Sequence, residues 1–157
     1  MGRMRLANMP VRMAAGVFIV NSGVGKLKAG DETAEAVHGM AKGTYPFLEG
    51  VPADKFVKSL GVSEVALGSA LLLPTVSDGL AGLSLATFAG GLLGMYLRTP
   101  GMRQDGSLRP SQQGTAIAKD VWLLGIGLTL MASAGAAGRR QRHDRRAARK
   151  FPEASAD

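Results

Sequence analysis

The chain has 157 residues, of which 46% are hydrophobic, only 5% are aromatic, 22 are glycine and none is cysteine. Without cysteine there are no disulfides, thiolate nucleophiles, iron–sulfur clusters or cysteine-based zinc sites. Glycine at about twice its usual share of roughly 7% is a poor recipe for a soluble core. It suits helices packed in lipid, where small residues let backbones approach closely. The formal charge of +7 raises the question of nucleic acid, which only the positions of the charges can answer.

Those positions divide the chain into apolar stretches and charged connections. Residues 79–97 and 121–138 carry no ionisable side chain over 19 and 18 residues, and at 1.5 Å per residue each helix is about 27 Å long, close to the hydrocarbon thickness of a bilayer. Residues 60–77 are interrupted only by Glu64 and Pro74. Residues 10–27 carry Arg12 and Lys26 near their ends, where long cationic side chains can reach the headgroups. The expectation is an all-α membrane protein: a four-helix transmembrane bundle over residues 1–138, followed by a basic tail over 139–157 without fixed structure. A soluble bundle would need more chain than 157 residues to cover four such helices. A signal peptide at the N-terminus would need a small-residue cleavage site, which does not follow Gly23.

Within the first long connection, Val37, Met40 and Ala41, and later Phe56, Val57 and Leu60, recur at helical spacing beside charged neighbours, which predicts short amphipathic helices lying on the membrane. Seven Lys and Arg in the twelve residues from 139 to 150 form a dense juxtamembrane cluster. By the positive-inside rule this places both termini in the cytoplasm. The same cluster is suited to anionic lipid, and without interleaved aromatics to stack on bases it is not read as a nucleic-acid site.

This topology brings Lys26, Glu64, Arg98 and Asp120 to one membrane face, where a carboxylate inside a span needs a cation or water. Interhelical ion pairs among these four are expected, in a combination the sequence leaves open. Tyr45, Tyr96 and Trp122 fall near the same face and are expected as interface anchors. Small residues recur every four positions in the third span, at Gly82, Ala86, Gly90 and Gly94, and in the fourth, at Gly125, Thr129, Ser133 and Ala137. Both rows predict close helix packing of the small-xxx-small kind. Asn21, Ser22, Ser69, Thr87 and Thr129 form a polar line read mainly as hydrogen bonds across helices. His38 and His143 stand on opposite sides and read as solvated surface residues. No phosphate-binding glycine loop, P-loop or nucleophile elbow occurs, so no catalytic, metal or cofactor residue is assigned, and a bound lipid or quinone is left open.

The pattern R-x3-G-x-F-x7-K-L from Arg12 through Gly16, Phe18, Lys26 and Leu27, the E-x3-G from Glu64 to Gly68, and the run KDVWLLGIGL at 119–128 resemble the DoxX-like membrane proteins. The resemblance covers about residues 10–138. It implies a small four-helix protein of the bacterial plasma membrane, associated with quinone-linked oxidoreductases and respiratory complexes as a non-catalytic partner of larger subunits. It also makes Lys26 and Glu64 polar positions typical of the family, and it brings no catalytic role with them. The connection carrying 99–103 and Arg109-Pro110 departs from the simplest members and would serve for docking. Two other functions follow from the same residues: a quinone-interacting subunit of an oxidoreductase, and a small-molecule transporter, the latter without the inverted repeat that transporters often show.

Overall fold

The computed structural model describes residues 6–150. A 3-10 turn at Leu6–Asn8 leads into α1 (Met9–Leu27), followed by α2 (Asp31–Thr44), a second 3-10 turn at Pro46–Leu48, α3 (Ala53–Leu72), α4 (Asp78–Arg98), α5 (Thr115–Ala118) and α6 (Val121–Lys150). No strand occurs among the described residues.

The helix ends follow local chemistry. Pro10 sits in the first turn of α1, where its missing N–H is no loss. α2 opens on Asp31 and Glu32 and closes on Lys42, charges that complement its dipole. A residue before proline is pushed out of the α region, and this rule stops three helices. Tyr45 before Pro46 takes φ −121°, ψ 84°; Leu73 before Pro74 takes φ −77°, ψ 123°; Thr99 before Pro100 takes φ −77°, ψ 122°. The N-terminus of α4 is capped by Ser77, whose hydroxyl oxygen accepts from the Leu80 N–H at 3.4 Å.

Two expected boundaries move. The segment predicted at 60–77 is α3, which runs from Ala53 to Leu72. Phe56, Val57 and Leu60 are therefore its first turns rather than a separate helix on the membrane, because nothing between Ala53 and Leu72 breaks a helix, whereas Pro74 does. The tail predicted to lack fixed structure continues α6 as helix through Lys150. Alanine, arginine and lysine are strong helix formers and extend a helix already nucleated by the apolar segment. Residues 151–157 of that tail, and Arg3 and Arg5, lie outside the described residues.

The helices pack as two antiparallel pairs, α1 with α3 and α4 with α6. Glycines set the first pair at close range: a Cβ at Gly68 would stand 2.7 Å from the carbonyl oxygen of Gly16, and one at Gly23 2.7 Å from that of Gly61. In the second pair, a Cβ at Gly82 would stand 2.6 Å from the Gly127 carbonyl oxygen. The pairs meet in one apolar core, to which α1 and α3 give Ala15, Ile19, Leu67 and Leu71, and α4 and α6 give Ala81, Leu85, Ala89, Leu123 and Leu130. α2 packs on α3 and α4, burying Ala34, His38 and Ala41 on one stripe.

Two stretches, Asp78–Arg98 and Thr115–His143, are long and apolar enough to cross a membrane. A core helix of a soluble protein also meets that test but is mostly covered by protein. Here only 28% and 17% of the most apolar windows are buried, so their apolar surface faces outward.

Candidate functional site

The charges inside the helical segments collect at two ends of the bundle. At one end Arg12, expected to reach outward to the headgroups, is instead 1% exposed. All five of its N–H donors are matched. Nε donates to the Leu71 carbonyl at 2.8 Å. Nη1 donates to the Val76 carbonyl at 3.0 Å and to Asp78 Oδ1 at 2.7 Å. Nη2 donates to the Ala70 and Leu73 carbonyls at 2.9 and 3.0 Å. Ala70, Leu71 and Leu73 belong to the last turn of α3 and the residue after it, where carbonyls lack intrahelical partners and the dipole is negative. The guanidinium thus caps α3 while neutralising Asp78 at the start of α4. Asn8 Nδ2 completes the cluster, donating to Asp78 Oδ2 at 2.8 Å and to Ser133 Oγ of α6 at 2.7 Å. Sequence reading missed this site because Arg12 lies only a few residues inside α1. The available signal was Pro74, which ends α3 and leaves its carbonyls open.

At the other end Lys26 Nζ donates to Glu64 Oε2 at 2.9 Å and to Ser22 Oγ at 2.9 Å. The Lys26 side chain is 22% exposed and that of Glu64 5%. Asp120 lies close enough to interact electrostatically with Glu64, Lys26 and Lys119. Arg98 does not join them. It is exposed, lines an open depression with Arg103 and Asp105 in the following loop, and forms no ion pair among the described residues. The physical reason is its place in the last turn of α4, from which it turns toward the 99–108 loop rather than across the bundle.

Beside the Lys26–Glu64 pair opens a cavity of about 280 Å³, lined by Phe18, Ser22, Lys26 and Glu64, by Lys119 and Asp120, and by apolar residues of α2, α4 and α6. It shares Val37, Leu60, Phe88, Leu92 and Met95 with a second, almost wholly apolar groove of about 320 Å³ that runs under α2 past Ala41, Phe47, Leu48 and Phe56. The two form one cleft, charged at one end and oily along its length. Lys119 Nζ sits 5.8 Å from the Phe18 ring centroid, within cation–π range.

The expected anchors divide. Tyr45 is half-buried and its hydroxyl donates to the Gly91 carbonyl at 2.9 Å. Tyr96 is 6% exposed, and its hydroxyl donates to the Leu108 carbonyl at 2.6 Å, which pins the 99–114 loop against α4. Trp122 is exposed and packs edge-on against Phe18 with centroids 5.9 Å apart. Tyr96 is thus a loop anchor in this fold, held by a buried polar tip.

The small-residue rows are corrected in phase. Gly82 and Ala86 of α4 do meet α6, but Gly90 faces open space and Gly94 lies against the Tyr45 hydroxyl. On α6 the contacting stripe is Leu123, Gly127, Leu130 and Ala134. The predicted Gly125 stands two residues from Leu123, about 200° around the helix at 100° per residue, and its row through Thr129, Ser133 and Ala137 drifts back toward the stripe by about 40° at each step. Gly125 meets nothing and Thr129 is exposed, its hydroxyl donating back to the Gly125 carbonyl at 2.8 Å. Ser133 is the member that reaches another helix, through Asn8. Ala137 is half-buried. Of the polar line, Ser22 bonds to Lys26 within α1 and Thr129 within α6, rather than across helices.

His38 is also buried, not solvated. It is 7% exposed, its Nε2–H donates to the Leu48 carbonyl at 2.9 Å, and its ring lies 5.4 Å from that of Phe56. Among the described residues, no group of three or more His, Asp or Glu is placed to hold a metal ion. Comparison with family models, curated proteins and solved structures gives no match for the chain.

Proposed function

We propose that the chain is a four-span protein of the bacterial plasma membrane and a non-catalytic accessory subunit of a larger respiratory complex. One observation carries the structural role: both cations of α1 are engaged in ties to other helices, Arg12 with Asp78 and Lys26 with Glu64. A charge is costly in hydrocarbon and is retained there when paired. At 19 and 20 residues α1 and α3 are about 28 and 30 Å long, and in this reading the first turns of α3, which carry Asp54, Lys55 and Lys58, lie at the headgroups while its apolar remainder enters the hydrocarbon. Val17, Val62, Leu80, Leu83 and Leu128 are exposed on the outer faces of the four long helices, as lipid or a partner subunit would require.

In this reading both termini lie in the cytoplasm, and the exposed Arg139, Arg140, Arg142, Arg145 and Arg146 of α6 meet anionic headgroups. The respiratory assignment rests on the resemblance of the Arg12 to Leu27 and Glu64 to Gly68 patterns to DoxX-like proteins. Affinity purification from native membrane in mild detergent, followed by mass spectrometry of the intact assembly, tests it. Recovery with other respiratory subunits is the expected result. Recovery as a lone monomer overturns the assignment.

A further inference from the structure

We propose that the cleft between α1, α2, α3 and α4 is a binding site for one phospholipid with a zwitterionic, primary-amine headgroup, of the phosphatidylethanolamine type. The proposal rests on the membrane reading above and adds a ligand to it. Three observations carry it.

First, the charged end has one unmatched group of each sign. Glu64 makes its one hydrogen bond through Oε2, to Lys26. No buried side-chain oxygen or nitrogen among the described residues lacks a partner, so Glu64 Oε1 is open to the cavity that Glu64 lines. Lys26 Nζ has three hydrogens and two acceptors, Ser22 and Glu64. Beside this pair, Lys119 and Asp120 both line the cavity, and neither forms an ion pair among the described residues. A primary ammonium supplies three donors to Glu64 Oε1 and Asp120, and a phosphodiester supplies acceptors to Lys119 and the remaining Lys26 hydrogen. Second, the charges at this end sum to zero, two carboxylates against two ammoniums, which suits a head bearing both signs. An anionic head leaves Asp120 and Glu64 Oε1 unanswered, and a quaternary amine offers them no N–H donor. Third, the groove that continues from the charged end is lined by Ala41, Phe47, Leu48, Phe56 and Leu92, as one acyl chain requires. The two volumes, about 280 and 320 Å³ with five lining residues in common, are each near the lower end of small-molecule sites.

The test is binding of defined lipids to the delipidated full chain in detergent, read by native mass spectrometry and by the shift in melting temperature. Phosphatidylethanolamine should bind at least about tenfold more tightly than phosphatidylcholine or phosphatidylglycerol of the same chains, a factor equal to about 1.4 kcal/mol. Glycerophosphoethanolamine, which lacks the chains, should bind at least about tenfold more weakly than the lipid. Asp120→Asn and Lys119→Gln, which leave the Lys26–Glu64 pair intact, should each remove most of the headgroup preference while the unliganded melting temperature stays put. Leu92→Trp, which fills the groove, should weaken all the lipids alike. Equal binding of the three headgroups overturns the proposal, as does a short-chain quinone that binds in preference to every lipid. If instead the chain stays folded and dispersed in buffer free of amphiphile, the membrane reading itself fails.

Discussion

Arg12 and Asp78, 66 residues apart in the chain, face each other at 2.7 Å with side chains 1% and 0% exposed. The contact joins the last turn of α3 to the first of α4 through a residue of α1. Burying an ion pair stabilises a fold only when the remaining polar atoms find partners, and here all five guanidinium donors do. Removing one partner leaves the other charge stranded, so Arg12→Met should cost about 3–5 kcal/mol. Arg12→Lys should recover little of it, since an ammonium has three donors where five acceptors wait. Melting in detergent checks both. A lysine variant as stable as the parent would show that the carbonyl contacts contribute nothing.

Lys26 and Glu64 make a tie of a different kind, nearer the surface and open to the cleft. A double-mutant cycle of Lys26→Met and Glu64→Gln should give a coupling of about 0.5–3 kcal/mol, the range for residues in contact. The same cycle between Arg98 and Asp120 should be additive within about 0.5 kcal/mol, because the structure leaves Arg98 on the outer loop. Strong coupling between Arg98 and Asp120 would contradict that placement.

Much of this arrangement was legible in the sequence, and the failures have physical causes. The charge-free runs mark α4 and α6, because desolvation acts locally; prolines 46, 74 and 100 end α2, α3 and α4 by equally local sterics, and Pro74 is the stop that the expected span over 60–77 overruns. The Lys26–Glu64 pair could be narrowed to a face but not chosen among four charges, since the choice depends on side-chain reach at helix ends. Arg12 was misplaced because position along a helix says nothing of what stands opposite, and the open carbonyls of α3 come from a segment about sixty residues away. The glycine rows failed on α6 for a related reason. The row of small residues from Gly125 to Ala137 and the mixed stripe of Leu123, Gly127, Leu130 and Ala134 coexist on one helix, and only the partner helix decides which is used. The tight pairs in α1 and α3, Gly16 with Gly68 and Gly23 with Gly61, lay hidden because their spacing of seven spans two turns rather than one.

Glycines therefore offer a direct test of phase. Gly82→Leu and Gly127→Leu each drive a side chain into backbone, with the new Cβ 2.6 Å from the Gly127 carbonyl oxygen or 2.7 Å from the Ala86 nitrogen. Overpacking of this sort costs about 1–3 kcal/mol or more, and both variants should melt early in detergent. A Cβ at Gly90 or Gly125 would meet no atom within 4 Å, so Gly90→Leu and Gly125→Leu should leave melting unchanged or slightly raised, since glycine inside a helix costs roughly 0.5–1 kcal/mol relative to alanine. If Gly90→Leu keeps its melting temperature yet no longer copurifies with other subunits, the open face of α4 is the one that meets the partner.

The 99–114 loop offers a last test, of how a connection without regular structure is held. Gln104 N–H donates to the Arg109 carbonyl at 2.9 Å, and Ser111 N–H to the Met102 carbonyl at 2.9 Å. Gly106 takes φ 66° at the tip, a conformation glycine adopts without strain. Met102 is buried beneath. What ties this small hairpin to the bundle is the Tyr96 hydroxyl on the Leu108 carbonyl. Tyr96→Phe removes one hydrogen bond and leaves a partly covered carbonyl without its donor, a cost of about 1–3 kcal/mol that falls on the loop rather than on the helices. Arg103 is exposed beside the tip and is followed by Gln104, so trypsin, which does not cut the Arg109–Pro110 bond, reports the opening at Arg103. Cleavage there should quicken several-fold in Tyr96→Phe while the melting of the bundle shifts by no more than a few degrees. Unchanged cleavage would mean that buried Met102 and the Thr44–Thr99 hydroxyl contact hold the loop down without it.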